Sequence, residues 1–183
     1  MIRMDLTEKT IESRSIFDGK VIRVKVDRVQ LPGGRESERE IVEHVGAVAI
    51  VPVDENNQVY LVRQFRKPLE KMLLEIPAGK LEPGEDPLDC ARRELVEEIG
   101  YYPRQIRRIA FYYSSPGFCN EEIHLYLATD LVRQEVPGEE GEFLNVLSLP
   151  FREALNRIMA QEIDDGKTIA GLLLAAKHLA VDS

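Results

Sequence analysis

Residues Gly79 to Tyr101 read GKLEPGEDPLDCARRELVEEIGY, and the rest of the 183-residue chain is best read outward from them. The second half carries the punctuation of a helix. Asp86 is a favoured N-cap, Pro87 suits the first helical position, Asp89 adds negative charge to the first turn, and Gly100 sits where a helix stops. Glu94 and Glu98 are four residues apart and Glu97 is three from Glu94, so three carboxylates project from one side. Like charges at that spacing oppose an isolated helix. One reading is a solvated face on which Arg93 pairs with Glu97; the other is a set of hard oxygen ligands suited to Mg²⁺ or Mn²⁺. The preceding loop favours the metal, because Gly79 and Glu85 let the backbone turn back over the helix and the Ala78 carbonyl adds an oxygen.

Outward from this segment, the pattern is mainly strands. Ile22, Val24 and Val26 alternate with polar neighbours, Leu31-Pro32-Gly33-Gly34 turns the chain, and a second strand is expected over Arg39 to Glu43. The run VGAVAIVPV from Val45 to Val53 suits a strand covered on both faces. With turn residues Asp54 to Asn57 and the strand pattern Val59 to Phe65, it predicts a central hairpin. A strand at Met72 to Ile76 leads through Pro77-Ala78-Gly79 into the loop. Further strands are expected near Gln105 to Tyr113, Glu122 to Ala128 and Leu144 to Leu149, then helices near Phe151 to Gln161 and Lys167 to Ala180. Many strands with few helices indicate an α+β sandwich rather than a repeating βαβ fold.

Hydrophobic residues at 44% and charged residues at 31% exclude a disordered composition. A balance of 24 Lys+Arg against 32 Asp+Glu leaves −8, which opposes nucleic acid as a partner. That acidity is concentrated. Gly79 to Tyr101 holds seven acids and three bases, Glu135 to Glu142 holds four acids and no bases, and the remainder balances. Two carboxylate patches awaiting divalent cations fit a phosphate-bearing ligand better than diffuse acidity would. No stretch approaches the roughly 18 apolar residues of a membrane span, and MIRMDLTEKT has no apolar leader core, so a cytoplasmic protein without a membrane partner is expected. Cys90 and Cys119 lack disulfide or zinc spacing and read as free thiols.

Gly79, Glu85, Arg93-Glu94, Leu95, Glu97-Glu98 and Gly100-Tyr101 fill the specified positions of the Nudix box, with Tyr101 where an aliphatic residue is usual. The chain therefore resembles the Nudix hydrolases. The resemblance implies a Nudix β/α/β sandwich, here with an additional N-terminal antiparallel sheet, and metal-dependent hydrolysis of a nucleoside diphosphate linked to another group. It also implies that Glu94 and Glu98, with Ala78 through its carbonyl, hold Mg²⁺ (or Mn²⁺), that Glu97 is a further ligand or a base, and that Arg93 and Glu85 brace the loop and helix.

Outside the box, Ser114-Ser115-Pro116-Gly117-Phe118 followed by Asn120-Glu121-Glu122, together with Arg39-Glu40-Ile41, Gln64-Phe65-Arg66 and Ile76-Pro77-Ala78-Gly79, resembles the ADP-ribose pyrophosphatases of that family. This narrower likeness implies cleavage of ADP-ribose to AMP and ribose 5-phosphate. Arg66 would contact the pyrophosphate, Ser115 and Glu121 the terminal ribose, and Arg39 and Glu40 the adenosine half across a homodimer. In the resembling enzymes a loop Glu activates water and a second Glu two residues on helps hold metal, which implies Glu140 as general base and Glu142 as auxiliary ligand. The implied organisation is residues 1–40 as N-terminal strands for dimerisation and the adenosine side, and 41–183 as the hydrolase domain. Some members stack adenine on aromatics just after the glycine matching Gly19, where this chain has Lys20-Val21. The alternatives are a diphosphatase for another nucleotide sugar or dinucleotide, and a noncatalytic ADP-ribose sensor. The intact box carboxylates and the lack of a basic patch disfavour the sensor.

Overall fold

The computed structural model describes residues 5–134 and 145–179. The chain divides into two compact units, residues 1–46 with 113–122, and residues 47–112 with 123–183.

The first unit is built on an antiparallel sheet in the order β1-β2-β3, formed by β1 (Lys9–Asp18), β2 (Ile22–Gln30) and β3 (Glu36–His44). Every residue of β1 is exposed, so that strand has no buried face and no hydrophobic alternation to announce it. Backbone pairing and cross-strand charges hold it instead. Arg28 of β2 bridges Glu12 of β1 at 3.0 Å and Glu36 of β3 at 2.9 Å, and Ser13 donates to the buried Asp27 at 2.6 Å. The segment of residues 113–122 docks on β3 through the Val42 N–H to the Phe118 carbonyl (2.8 Å) and the His44 N–H to Asn120 Oδ1 (2.8 Å).

The second unit contains β4 (Ala47–Pro52), β5 (Gln58–Arg66), β6 (Lys71–Glu75), β7 (Ala78–Lys80), α1 (Pro87–Ile99), β8 (Tyr101–Tyr113), β9 (Glu122–Arg133), β10 (Asn145–Pro150), α2 (Phe151–Met159) and α3 (Gly166–Leu179). One sheet runs β7-β4-β9-β8 and another β10-β5-β6. The apolar run of β4 is explained by burial on both faces. Val48 and Ile50 join Cys90, Ala91 and Leu95 of α1 in one core, while Ala49 and Val51 join Leu61, Ile76, Leu125, Phe151 and Leu172 in the other. Close approach of α3 depends on Gly171, where an added Cβ would lie 2.8 Å from Ile76 Cδ1. Among the described residues, no helix is long and apolar enough to cross a membrane.

The expected central hairpin does not form. Past a single bridge between Val53 and Val59, β4 pairs in parallel with β9 and β5 pairs with β6 and β10, in separate sheets. The turn is locally complete: Asp54 Oδ1 accepts the N–H groups of Asn56 and Gln58, each at 2.8 Å, and Asn57 takes a left-handed φ of 54°. A finished turn leaves the strand edges beyond it open to other partners. The Ala78-Gly79 segment, read as the start of a loop, forms the short strand β7 on the edge of β4.

Candidate functional site

Helix α1 begins and ends as its sequence dictates. The Asp86 carboxylate accepts the Leu88 N–H at 2.8 Å, Pro87 opens the helix, and Gly100 closes it at φ 74° with its N–H on the Val96 carbonyl. Cys90, Ala91, Leu95, Val96 and Ile99 are buried, which leaves Arg93, Glu94, Glu97 and Glu98 on the partly open side.

β7 meets that side. A Cβ on Gly79 would lie 1.8 Å from Glu94 Cδ, so only glycine lets the Glu94 carboxylate lie over the strand. One residue earlier the Ala78 N–H donates to Glu98 Oε2 at 3.1 Å. The Pro77 carbonyl accepts from the Ile50 N–H at 2.8 Å and the Ile76 N–H donates to Thr168 Oγ1 at 2.9 Å. Three consecutive residues, Ile76, Pro77 and Ala78, are therefore tied to α3, β4 and α1, and the strand cannot shift without breaking one of them.

Arg93 is the hub of the loop. Its Nε and Nη2 grip Glu85 at 2.9 and 3.0 Å, while Nη1 donates to Glu94 Oε1 at 2.8 Å and Glu97 Oε2 at 2.9 Å. The Arg93 guanidinium holds the Glu85 carboxyl down from 4.5 to about 2. Beneath it, burial and then the Glu85 carboxylate push the Cys90 thiol up to about 12, so Cys90 stays a protonated, unreactive thiol.

Arg66, at the end of β5, grips Glu75 of β6 with Nε at 2.7 Å and Nη2 at 2.6 Å. Its proton is held more firmly than usual, chiefly by those bonds and also by attraction to Asp165 and Glu98, so its charge lies in the field of Glu98 on α1. The second unit thus brings together Ala78, Glu94, Glu97, Glu98 and Arg66. The first unit holds Arg39, Glu40, Ser115 and Glu121. Arg39 is gripped by Glu8 at 2.8 and 2.6 Å and Glu40 faces Val26 across the ladder. The Ser115 carbonyl accepts the N–H groups of Phe118 and Cys119, and Glu121 Oε1 lies 3.6 Å from His44 Nδ1. Glu140 and Glu142 lie outside the described residues.

Among the described residues, no three His, Cys, Asp or Glu side chains form a ready cage for a metal ion. The expected donors, the Glu94 and Glu98 carboxylates and the Ala78 carbonyl, are all hard oxygens. Such a set suits Mg²⁺, which is usually held by one or two carboxylates and keeps positions for water and phosphate oxygens. The sequence pattern assigns no role to Glu75 or to Lys167, which meet with Arg66 in the folded chain. The available signal was an acid in the otherwise apolar LLEI stretch of Leu73 to Ile76, where a buried charge demands counter-charges.

The family model described as the NUDIX domain matches residues 42–170, and that of the nucleoside diphosphate sugar hydrolase N-terminal domain matches residues 8–42. The chain is 48% identical over 164 residues to a methanol dehydrogenase activator of Bacillus methanolicus, covering 88% of this chain and 89% of that protein. It is 47% identical over 165 residues to an ADP-ribose pyrophosphatase of Bacillus subtilis, covering 89% of each. In fold it is similar to a crystal structure of an ADP compounds hydrolase, with a TM-score of 0.86, 20% identity and 96% of each chain covered. The box residues gathered on α1 and β7, and a domain match that spans most of the chain, lead to one statement of kinship: this protein belongs to the Nudix family.

Proposed function

We propose that the protein is a cytoplasmic, homodimeric ADP-ribose diphosphatase that uses Mg²⁺, with Mn²⁺ as a substitute, to release AMP and ribose 5-phosphate. The observation that carries the reading is the double tie of α1 to β7, with Glu94 over Gly79 and Glu98 on the Ala78 N–H, beside an arginine held at Glu75. The ADP-ribose pyrophosphatase at 47% identity supports the choice of substrate.

Bound at Glu94, Glu98 and the Ala78 carbonyl, with Glu142 as auxiliary ligand, divalent cations would neutralise the diphosphate and lower the pKa of an attacking water. Arg66 orients the pyrophosphate through a guanidinium edge that matches phosphate oxygens. Glu140 takes the proton of the water as its oxygen bonds to phosphorus; the bridging P–O bond breaks, and its electron pair leaves with the departing phosphate. Glu97 serves as a further ligand or as the base. Ser115 and Glu121 serve the terminal ribose, and Arg39 and Glu40 serve the adenosine half from the partner subunit.

Removing one carboxylate oxygen tests the reading. Glu98→Gln is expected to lower kcat by about 10³-fold, or about 4 kcal/mol of barrier, with thermal unfolding unchanged. A Glu98→Gln enzyme of near-normal rate overturns it. A panel of ADP-ribose, GDP-mannose and dinucleoside polyphosphates with product identification decides between ADP-ribose and another nucleotide sugar. Binding of ADP-ribose with no product would instead favour a sensor. Gel filtration across protein concentrations tests the dimer.

A further inference from the structure

The start of α3 carries charges that the proposed chemistry leaves unused. Glu75 ends β6 with its side chain fully buried, where an unpaired carboxylate would be strongly disfavoured. Two cations meet it. Arg66 takes both of its oxygens, and Lys167 Nζ, from the first turn of α3, also bonds Oε2. Lys167 bonds Asp165 as well, at 3.0 Å, and Asp165 caps the helix by accepting the Thr168 N–H at 2.9 Å and its Oγ1–H at 2.6 Å. Thr168 Oγ1 in turn accepts the Ile76 N–H. One helical turn therefore holds the end of β6 through the Glu75 side chain and the residue that follows it through the Ile76 backbone.

The cluster solves a charge problem specific to Arg66. Nε and Nη2 are engaged by Glu75, so Nη1 is the nitrogen that Glu75 leaves alone, on a side chain still 39% exposed. If Glu75 had Arg66 as its only cation, each approach of Arg66 to a phosphate would weaken the neutralisation of a buried carboxylate. With Lys167 also on Oε2, Glu75 keeps a counter-charge while Arg66 serves a second anion.

We propose that Lys167, acting through Glu75, is a positioning residue that fixes the guanidinium of Arg66 against the substrate pyrophosphate. The proposal rests on the reading of Arg66 as a pyrophosphate contact. A double-mutant cycle on ADP-ribose with Mg²⁺ tests it, using wild type, Lys167→Met, Arg66→Ala and the pair, each with thermal unfolding. Lys167→Met is expected to raise KM about 10-fold with a smaller change in kcat, and to change KM less than about 2-fold when Arg66 is already alanine. Lys167→Arg is expected to recover most of the loss. An unchanged KM in Lys167→Met, or the same factor in both backgrounds, overturns the proposal. Should Lys167→Met fail to fold, the pair Glu75→Gln with Lys167→Met removes both charges and keeps one oxygen for Arg66. Its KM is expected to rise likewise, and an unchanged KM overturns the proposal. A wild type that does not cleave ADP-ribose overturns the parent reading and this one together, whereas an active wild type with an additive cycle overturns this one alone.

Discussion

The sheet of the first unit and the sandwich of the second are held by different forces. In the second, β4 is buried on both faces and Val48, Ile50, Leu61, Leu95 and Leu125 are fully shielded from water. In the first, β1 is exposed along its length, Ile11, Ile16 and Phe17 face solvent, and what stands in place of a core is a backbone ladder with ion pairs such as Arg28 to Glu12 and Glu36. Apolar burial is worth roughly 25 cal/mol per Å², whereas an exposed ion pair contributes about 0–1 kcal/mol. The difference teaches where chemistry can be placed. A carboxylate cluster opposes its own assembly, so it sits on α1, whose other side is anchored in a core, and α1 in turn sits on β4.

Substitutions can break or sharpen that contrast. The largest effect is expected from Leu95→Ala, which should destabilise the chain by about 2–5 kcal/mol in denaturant unfolding, while Ile11→Ala in β1 should stay within about 0.5 kcal/mol at protein concentrations low enough to keep the chain monomeric. Equal losses at the two sites would erase the distinction. Next is Gly79→Ala, whose methyl must displace the Glu94 carboxylate; kcat is expected to fall about 10²-fold, or about 2.7 kcal/mol, with little change in melting temperature. Near-normal turnover there would separate the Glu94 position from activity.

Acid should probe the loop. Because Arg93 holds Glu85 near 2 against 4.5 when unpaired, this pair stabilises the fold fully above about pH 4.5 and loses its contribution as pH falls towards 2. Melting temperature followed from pH 6 to pH 2 should therefore drop less steeply in Glu85→Gln, which starts lower and has no such proton to bind. A small effect is expected from Arg28→Ala too, within about 1 kcal/mol and fading with added salt, since its partners are exposed.

How much was legible follows from the range of the forces. Helix α1 was readable to within a residue because caps and helical spacing are local: Asp86, Pro87 and Gly100 act on neighbours a turn away. Strand β1 was not, because a strand with no buried face shows no period-2 pattern. The carboxylates on one side of α1 were readable from their spacing, but the need for glycine at position 79 became physical only once Glu94 lay over it.

The partnerships of the strands and of the buried charges lay beyond local pattern. VGAVAIVPV announces a strand covered on both faces, and its composition determined that β4 would be central. Which edges it pairs with was decided by the tertiary structure, since any open edge offers the same N–H and C=O groups and the choice depends on which sheet buries the most apolar surface. Likewise the sequence alone determined the box, its acid-rich helix and the localisation of the −8 charge. Only the folded chain decided that Lys167, 92 residues from Glu75, would meet it, because a buried carboxylate is neutralised by whichever cation packing brings within reach.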